Sequence, residues 1–144
     1  MWGFFIALLS GALMSIQGVW NTALTKQTSL WVSTGWVQLS AFLVCIAAWF
    51  VTGRQSVGAL WQTEHKYTML GGILGALITV TVIQSMSALG PARAAMLIVV
   101  SQLIVAYVIE LFGLFGMDKQ PLEIRKILGM CVAILGIVIF KWQK

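Results

Sequence analysis

Residues 88–116 read ALGPARAAMLIVVSQLIVAYVIELFGLFG, and this run decides the fold. Pro91, just after Gly90, suits the first turn of a helix, where its missing N–H costs nothing. From Ala92 to Phe112 lie about 20 residues, roughly 30 Å of helix, which matches the hydrocarbon thickness of a bilayer. Arg93, Ser101, Gln102 and Tyr107 interrupt the apolar run before Glu110 closes it. Polar groups are costly in lipid and usually face protein or a cavity. At 100° per residue, Ala95, Val99, Gln102, Ala106 and Glu110 share one stripe. The spacing predicts a membrane helix with a small, polar, functional face.

Composition extends that reading to the whole chain. Of 144 residues, 60% are hydrophobic and 9% charged, against about 25% charged for a soluble domain. We expect one integral membrane domain over 1–144, in contact with lipid. The net charge of +5 does not point to nucleic acid, because the basic residues are scattered between apolar runs, as in membrane-edge loops. Cys45 and Cys131 both lie inside apolar runs and read as buried free thiols. His65 is the only histidine, so neither a metal site nor a histidine triad is expected. No nucleophile–base pair stands out, so the chain reads as a non-enzyme without cofactor. The first apolar run starts at Trp2 with no basic region before it, and is long enough to span rather than act as a cleaved signal.

Five spans are predicted, over about 2–24, 31–51, 69–89, 92–113 and 126–142. In the first, Trp2, Phe5, Leu9, Leu13, Ile16 and Trp20 form a bulky face. Gly3, Ser10, Gln17 and Asn21 form one small or polar stripe, and Gly11, Ser15, Gly18 and Thr22 the next. Bulk faces lipid and small residues pack or line a cavity; Gln17 and Asn21 are larger and more polar than packing requires. The second span carries Trp31 and Trp36 at one end and Trp49 and Phe50 at the other, an aromatic belt, and reads as peripheral. The third opens with Gly71, Gly72, Gly75 and Ala76 and continues with a stripe of Thr81, Gln84, Ser85 and Ala88. The fifth has a seam of Gly129, Ala133 and Gly136 and reads as a packing or dimerisation helix.

With five spans, Arg54, Lys66, Lys119, Arg125 and Lys126 lie on the N-terminal side, and Lys26, Arg93, Lys141 and Lys144 on the other. Orientation follows the excess of Lys and Arg. An excess of one residue is what a protein inserting both ways would carry; the alternative is that one loop dominates and fixes a single orientation.

The order of these features carries a resemblance. Gly11-Ala12-Leu13 with Gln17 and Asn21, then Ala88-Leu89-Gly90-Pro91-Ala92-Arg93-Ala94, Ser101-Gln102-Leu103, and Glu110-Leu111-Phe112-Gly113-Leu114-Phe115-Gly116 followed by Pro121, Arg125 and Gly129, resemble the drug/metabolite transporter superfamily. That superfamily includes the small multidrug resistance proteins and the EamA-type transporters. The closer resemblance is to the half-length YdcZ-type family of unknown function, over nearly the whole chain. Ser29-Leu30 stands where that family often has a proline, and Glu110 where it often has Asp. The small multidrug resistance proteins carry a glutamate in the middle of their first helix; Gln17 and Asn21 stand here instead, which points away from proton–cation antiport.

The resemblance implies an all-α membrane fold that is half of an inverted-repeat transporter, working as an antiparallel homodimer in the bacterial cytoplasmic (inner) membrane. The implied function is transport of a small solute by alternating access. Helices 1, 3 and 4 of both subunits would line a cavity, with Gln17, Asn21, Gln84 and Gln102 as its polar wall; amides suit a neutral or weakly charged solute. Arg93 and Glu110 lie about 25 Å apart along one helix, too far to pair within a subunit. In an antiparallel dimer they reach the same depth and form a candidate gate; otherwise Glu110 meets water, Lys119, Arg125 or Lys126. The competing functions are a non-transporting assembly or accessory protein and one half of a heterodimeric transporter.

Overall fold

The computed structural model describes residues 1–141; Trp142, the expected end of the fifth helix, and Lys144 lie outside them. The chain is all-helical, and the described residues contain no strand. Its α-helices are α1 (Trp2–Gln27), α2 (Leu30–Val51), α3 (Gly71–Leu89), α4 (Pro91–Phe112) and α5 (Ile124–Lys141). Three short 3-10 turns, Val57–Gln62, Lys66–Leu70 and Leu114–Gly116, lie in the connections.

Among the described residues, four segments are long and apolar enough to cross a membrane: Trp2–Gln27, Leu30–Val51, Lys66–Leu89 and Pro91–Phe112. α5 is not among them. Arg125 and Lys126 stand at its start and Lys141 at its end, so the uncharged run 127–140 rises only about 21 Å, short of a bilayer core of roughly 30 Å.

Several helix ends have a visible local cause. α1 runs on to Gln27, where Thr28 closes it with both its N–H and its hydroxyl on the Leu24 carbonyl, at 3.0 and 2.8 Å. Ser29 is extended and caps α2, its hydroxyl accepting from the Val32 N–H at 3.3 Å; such a cap satisfies one of the free donors of a helix start. Ser29 thus starts α2 at the place where the resemblance leads one to look for proline. α4 has Pro91 in its first turn and ends on Gly113 in the left-handed conformation, φ +64°. A side chain at Gly113 would be strained, and its Cβ would fall 3.2 Å from the Met117 carbonyl oxygen.

The chain folds as two compact units, Met1–Ala88 and a second beginning at Leu89. In the first unit a two-residue turn makes α1 and α2 an antiparallel hairpin. The bulky face of α1 is exposed, from 47% at Ile16 to 79% at Trp2, and its buried residues are Gly18, Asn21 and Thr22. Gly18 is the close approach to α3, since a Cβ there would fall 2.5 Å from Met86 Cε. Val80, Ile83 and Met86 supply the buried apolar face of α3.

Two sequence expectations need correction here. α2 is not peripheral: Ser33 and Thr34 are buried, Ser33 hydrogen-bonds the Thr25 hydroxyl, and Gln38 Nε2 donates to Thr79 Oγ1 at 3.3 Å. The Ser33 hydroxyl also lies 3.1 Å from its own helix's Leu30 carbonyl, which lets it hide in a close helix crossing. Cys45 and Cys131 are free but exposed, because each stands on a helix surface that no neighbouring helix covers.

The second unit is the pair α4 and α5. The connection between them is tied to α4. The Glu110 carbonyl accepts the N–H groups of Gly113 at 3.4 Å and Gln120 at 2.9 Å. The Glu123 N–H donates to the Tyr107 hydroxyl at 3.1 Å, next to the start of α5.

Candidate functional site

Asn21 is 8% exposed, yet its side chain makes no hydrogen bond among the described residues. It lines a groove of about 630 Å³ between α1 and α2, with Gln17, Trp20, Trp36, Ser40 and Cys45 on the same walls. The helical period places Gln17 and Asn21 one turn apart on α1, and Trp36 and Ser40 one turn apart on α2. Gln17 lies about 15 Å from the C-terminal end of α1, near the middle of the helix. The Ser40 hydroxyl donates to the Val37 carbonyl at 3.0 Å, leaving its lone pairs free to accept. No residue lining the groove is charged. The walls therefore offer two amides, a hydroxyl and two indoles, which can bind a polar, uncharged group beside an apolar or aromatic one.

The four expected cavity amides are placed unequally. Gln17 and Asn21 come together in this groove. Gln84 is exposed on α3 and Gln102 exposed on α4, neither with a hydrogen bond among the described residues.

Arg93 and Glu110 occupy opposite ends of α4. Arg93 lines a small, mostly apolar cleft of about 80 Å³ with Leu89, Met96, Leu97, Ile137 and Phe140, and makes no ion pair among the described residues. Glu110 Oε2 lies 3.5 Å from Lys126 Nζ, and Lys126 lies 3.8 Å from Glu123. The Lys126 ammonium also sits 5.8 Å from the Tyr107 ring centroid. Glu110, Lys126, Tyr107 and Gly129 line a cavity of about 290 Å³. The seam of α5 is open among the described residues: none of their heavy atoms would meet a Cβ at Gly129 or Gly136 within 4 Å, and Ala133 is half-buried.

Sequence reasoning missed the second wall of the groove. Trp36 and Ser40 read only as belt and polar content of an outer helix, although their spacing of four already set them on one face. It also missed the tie from Tyr107 to Glu123, for which a lone tyrosine among aliphatics was the only signal.

Residues 2–139 match the family model described as "Putative inner membrane exporter, YdcZ". The chain belongs to the YdcZ family. No curated protein and no solved structure gives a significant match. Membership of the YdcZ family and four segments able to cross a bilayer make this a multi-pass protein of the inner membrane. The family description is one of membrane export, which is not an enzyme class.

Proposed function

We propose that the protein exports a small, uncharged polar solute across the inner membrane, with the groove between α1 and α2 as its solute-binding wall. The observation that carries this reading is Asn21: a residue nine-tenths buried, whose amide has no partner among the described residues and opens on a charge-free groove that runs from the middle of α1 toward its C-terminal end. Transporter sites of inverted-repeat proteins lie near the bilayer midplane. The family description, one of inner-membrane export, supports an outward direction.

The working unit in this reading is an antiparallel homodimer with a central cavity and alternating access. Each subunit contributes Gln17 and Asn21, joined by Gln84 and Gln102, whose exposed amides are left for a partner or solute to meet. The near balance of basic residues between the two sides favours insertion in both orientations, and α5 completes five spans with its ends snorkelling to the interfaces. Gly129, Ala133 and Gly136 form the subunit contact. Arg93 of one subunit meets Glu110 of the other on the closed side of the cavity and separates on the open side. A charge pair of this kind biases a two-state equilibrium by its difference in energy between the two states.

The test is transport by purified protein in proteoliposomes, with a panel of neutral, cationic and anionic solutes and empty vesicles as control. Efflux of neutral solutes that is lost in Asn21→Leu is the expected result. Folded protein that moves no solute in either direction would overturn the reading.

A further inference from the structure

We infer that the groove between α1 and α2 recognises a planar aromatic lactam or carboxamide, read by Asn21 through a paired donor and acceptor. The inference deepens the export reading and rests on it.

The argument starts from what Asn21 lacks. An asparagine amide carries two N–H donors and a carbonyl acceptor. The Asn21 amide atoms are not sealed off as Thr34 Oγ1 is, so their donors and acceptor are open to a ligand in the groove. Asn21 is more than nine-tenths buried, unpaired among the described residues, and faces the groove. The complement of an amide edge is another amide edge, with N–H and C=O side by side. A ketone or ether offers only the acceptor, and an alcohol does not hold both groups in one plane.

The neighbours define the rest of the ligand. Trp20 and Trp36 line the same groove and are 71% and 59% exposed, so both indoles have surface to give to a flat ring. Aromatic pairs prefer offset or edge-to-face geometry, which a planar ligand satisfies. Gln17 and Ser40 can hold a second polar substituent. The groove offers no charged side chain as counter-ion to a ligand of either sign. The acidic residues are Glu64, Glu110, Asp118 and Glu123, none of them on α1 or α2, so a cation finds no carboxylate in the groove. Lys26 is the only basic residue on these two helices and does not line the groove, so a carboxylate finds no counter-ion. Burying an unpaired charge costs far more than burying a satisfied amide.

Cys45 makes the groove observable, because its thiol is free, exposed and on the groove wall. In a Cys131→Ser background, reconstituted in lipid nanodiscs, the rate of Cys45 alkylation by a maleimide reads occupancy. The probes share one bicyclic body: quinolin-2(1H)-one, its N-methyl derivative, quinoline-2-carboxylate and the 1-methylquinolinium cation. At about ten times its Kd the lactam should slow alkylation about tenfold. Loss of the N–H should weaken binding about tenfold, and the charged probes should not protect. Asn21→Leu should remove protection by the lactam and leave the unliganded alkylation rate and the melting temperature undiminished.

Equal protection by the N-methyl or charged probes overturns the inference, as does protection that survives Asn21→Leu. Dissociation of a dimer by Asn21→Leu, with no lactam effect in the parent, overturns it too and makes the partner subunit the occupant. Absence of lactam protection together with transport of other solutes in proteoliposomes refutes the ligand class and leaves the export reading standing. Absence of both refutes the two together.

Discussion

Lys126 Nζ lies 3.5 Å from Glu110 Oε2, joining the start of α5 to the end of α4, with side-chain exposures of 39% and 43%. Of the partners open to Glu110 in the sequence, the protomer brings Lys126 to it. An ion pair this exposed contributes about 0–1 kcal/mol, weak enough to exchange for another cation. Lys126→Met should therefore lower unfolding stability in detergent by no more than about 1 kcal/mol. A loss of about 3–5 kcal/mol would mean a pair that is buried in the assembled protein.

The same weakness leaves Glu110 free to meet Arg93 of a second subunit. Arg93→Cys with Glu110→Cys, in a background lacking Cys45 and Cys131, should cross-link between subunits on oxidation and not within one. A dimer that forms no such cross-link removes the gate and leaves Lys126 as the counter-ion of Glu110.

Thr34 Oγ1 is buried without a hydrogen-bond partner. Leaving a buried polar group unsatisfied costs about 1–3 kcal/mol, and replacing it by an apolar group of the same shape removes that cost. Thr34→Val is expected to raise stability by about 1 kcal/mol, read as a higher midpoint in thermal or denaturant unfolding. A lower midpoint would show that the hydroxyl has a partner in the membrane-embedded protein, such as an ordered water.

Gly18 faces the terminal methyl and sulfur of Met86, 2.5 and 2.6 Å from where a Cβ would stand, with Val82 Cγ1 at 3.3 Å. Methionine is unbranched and adapts, so Gly18→Ala should cost little once Met86 shifts. Gly18→Leu adds bulk that shift cannot absorb and should cost about 1–3 kcal/mol. Equal stability of the two variants would mean that α1 and α3 do not pack through this contact.

Gly136 differs from Gly18 because nothing among the described residues opposes it. Gly136→Leu should leave monomer folding intact and weaken self-association, seen as a shift toward monomer in size-exclusion light scattering. An unchanged dimer places the contact on a face other than the α5 seam.

The sequence made some of this legible and concealed the rest for physical reasons. The bulky stripe from Trp2 to Ile16 marks the exposed face of α1, because lipid tolerates size and rejects polarity, whereas Trp20 at its end turns out to line the groove. The Gln17 and Asn21 stripe set two amides on one face of α1, but the expected walls were helices 1, 3 and 4, and the residues across the groove belong to α2. Gln84 and Gln102 gave the same signal, yet each stands exposed on its own helix, since periodicity fixes a residue's face without fixing what stands opposite. The burial of Ser33 and Thr34 was hidden because their small hydroxyls suit a helix surface and a close helix crossing equally well. The tie from Tyr107 to Glu123 depends on the path of the connecting segment, which no helical period encodes.

Glu110, Tyr107 and Lys126 together tie the segment 113–123 and the start of α5 back to α4. With its carbonyl holding two N–H groups, the turn has little slack, and α4 and α5 form one mechanical element. In the alternating-access reading proposed above, α4 and α5 would move together as one body.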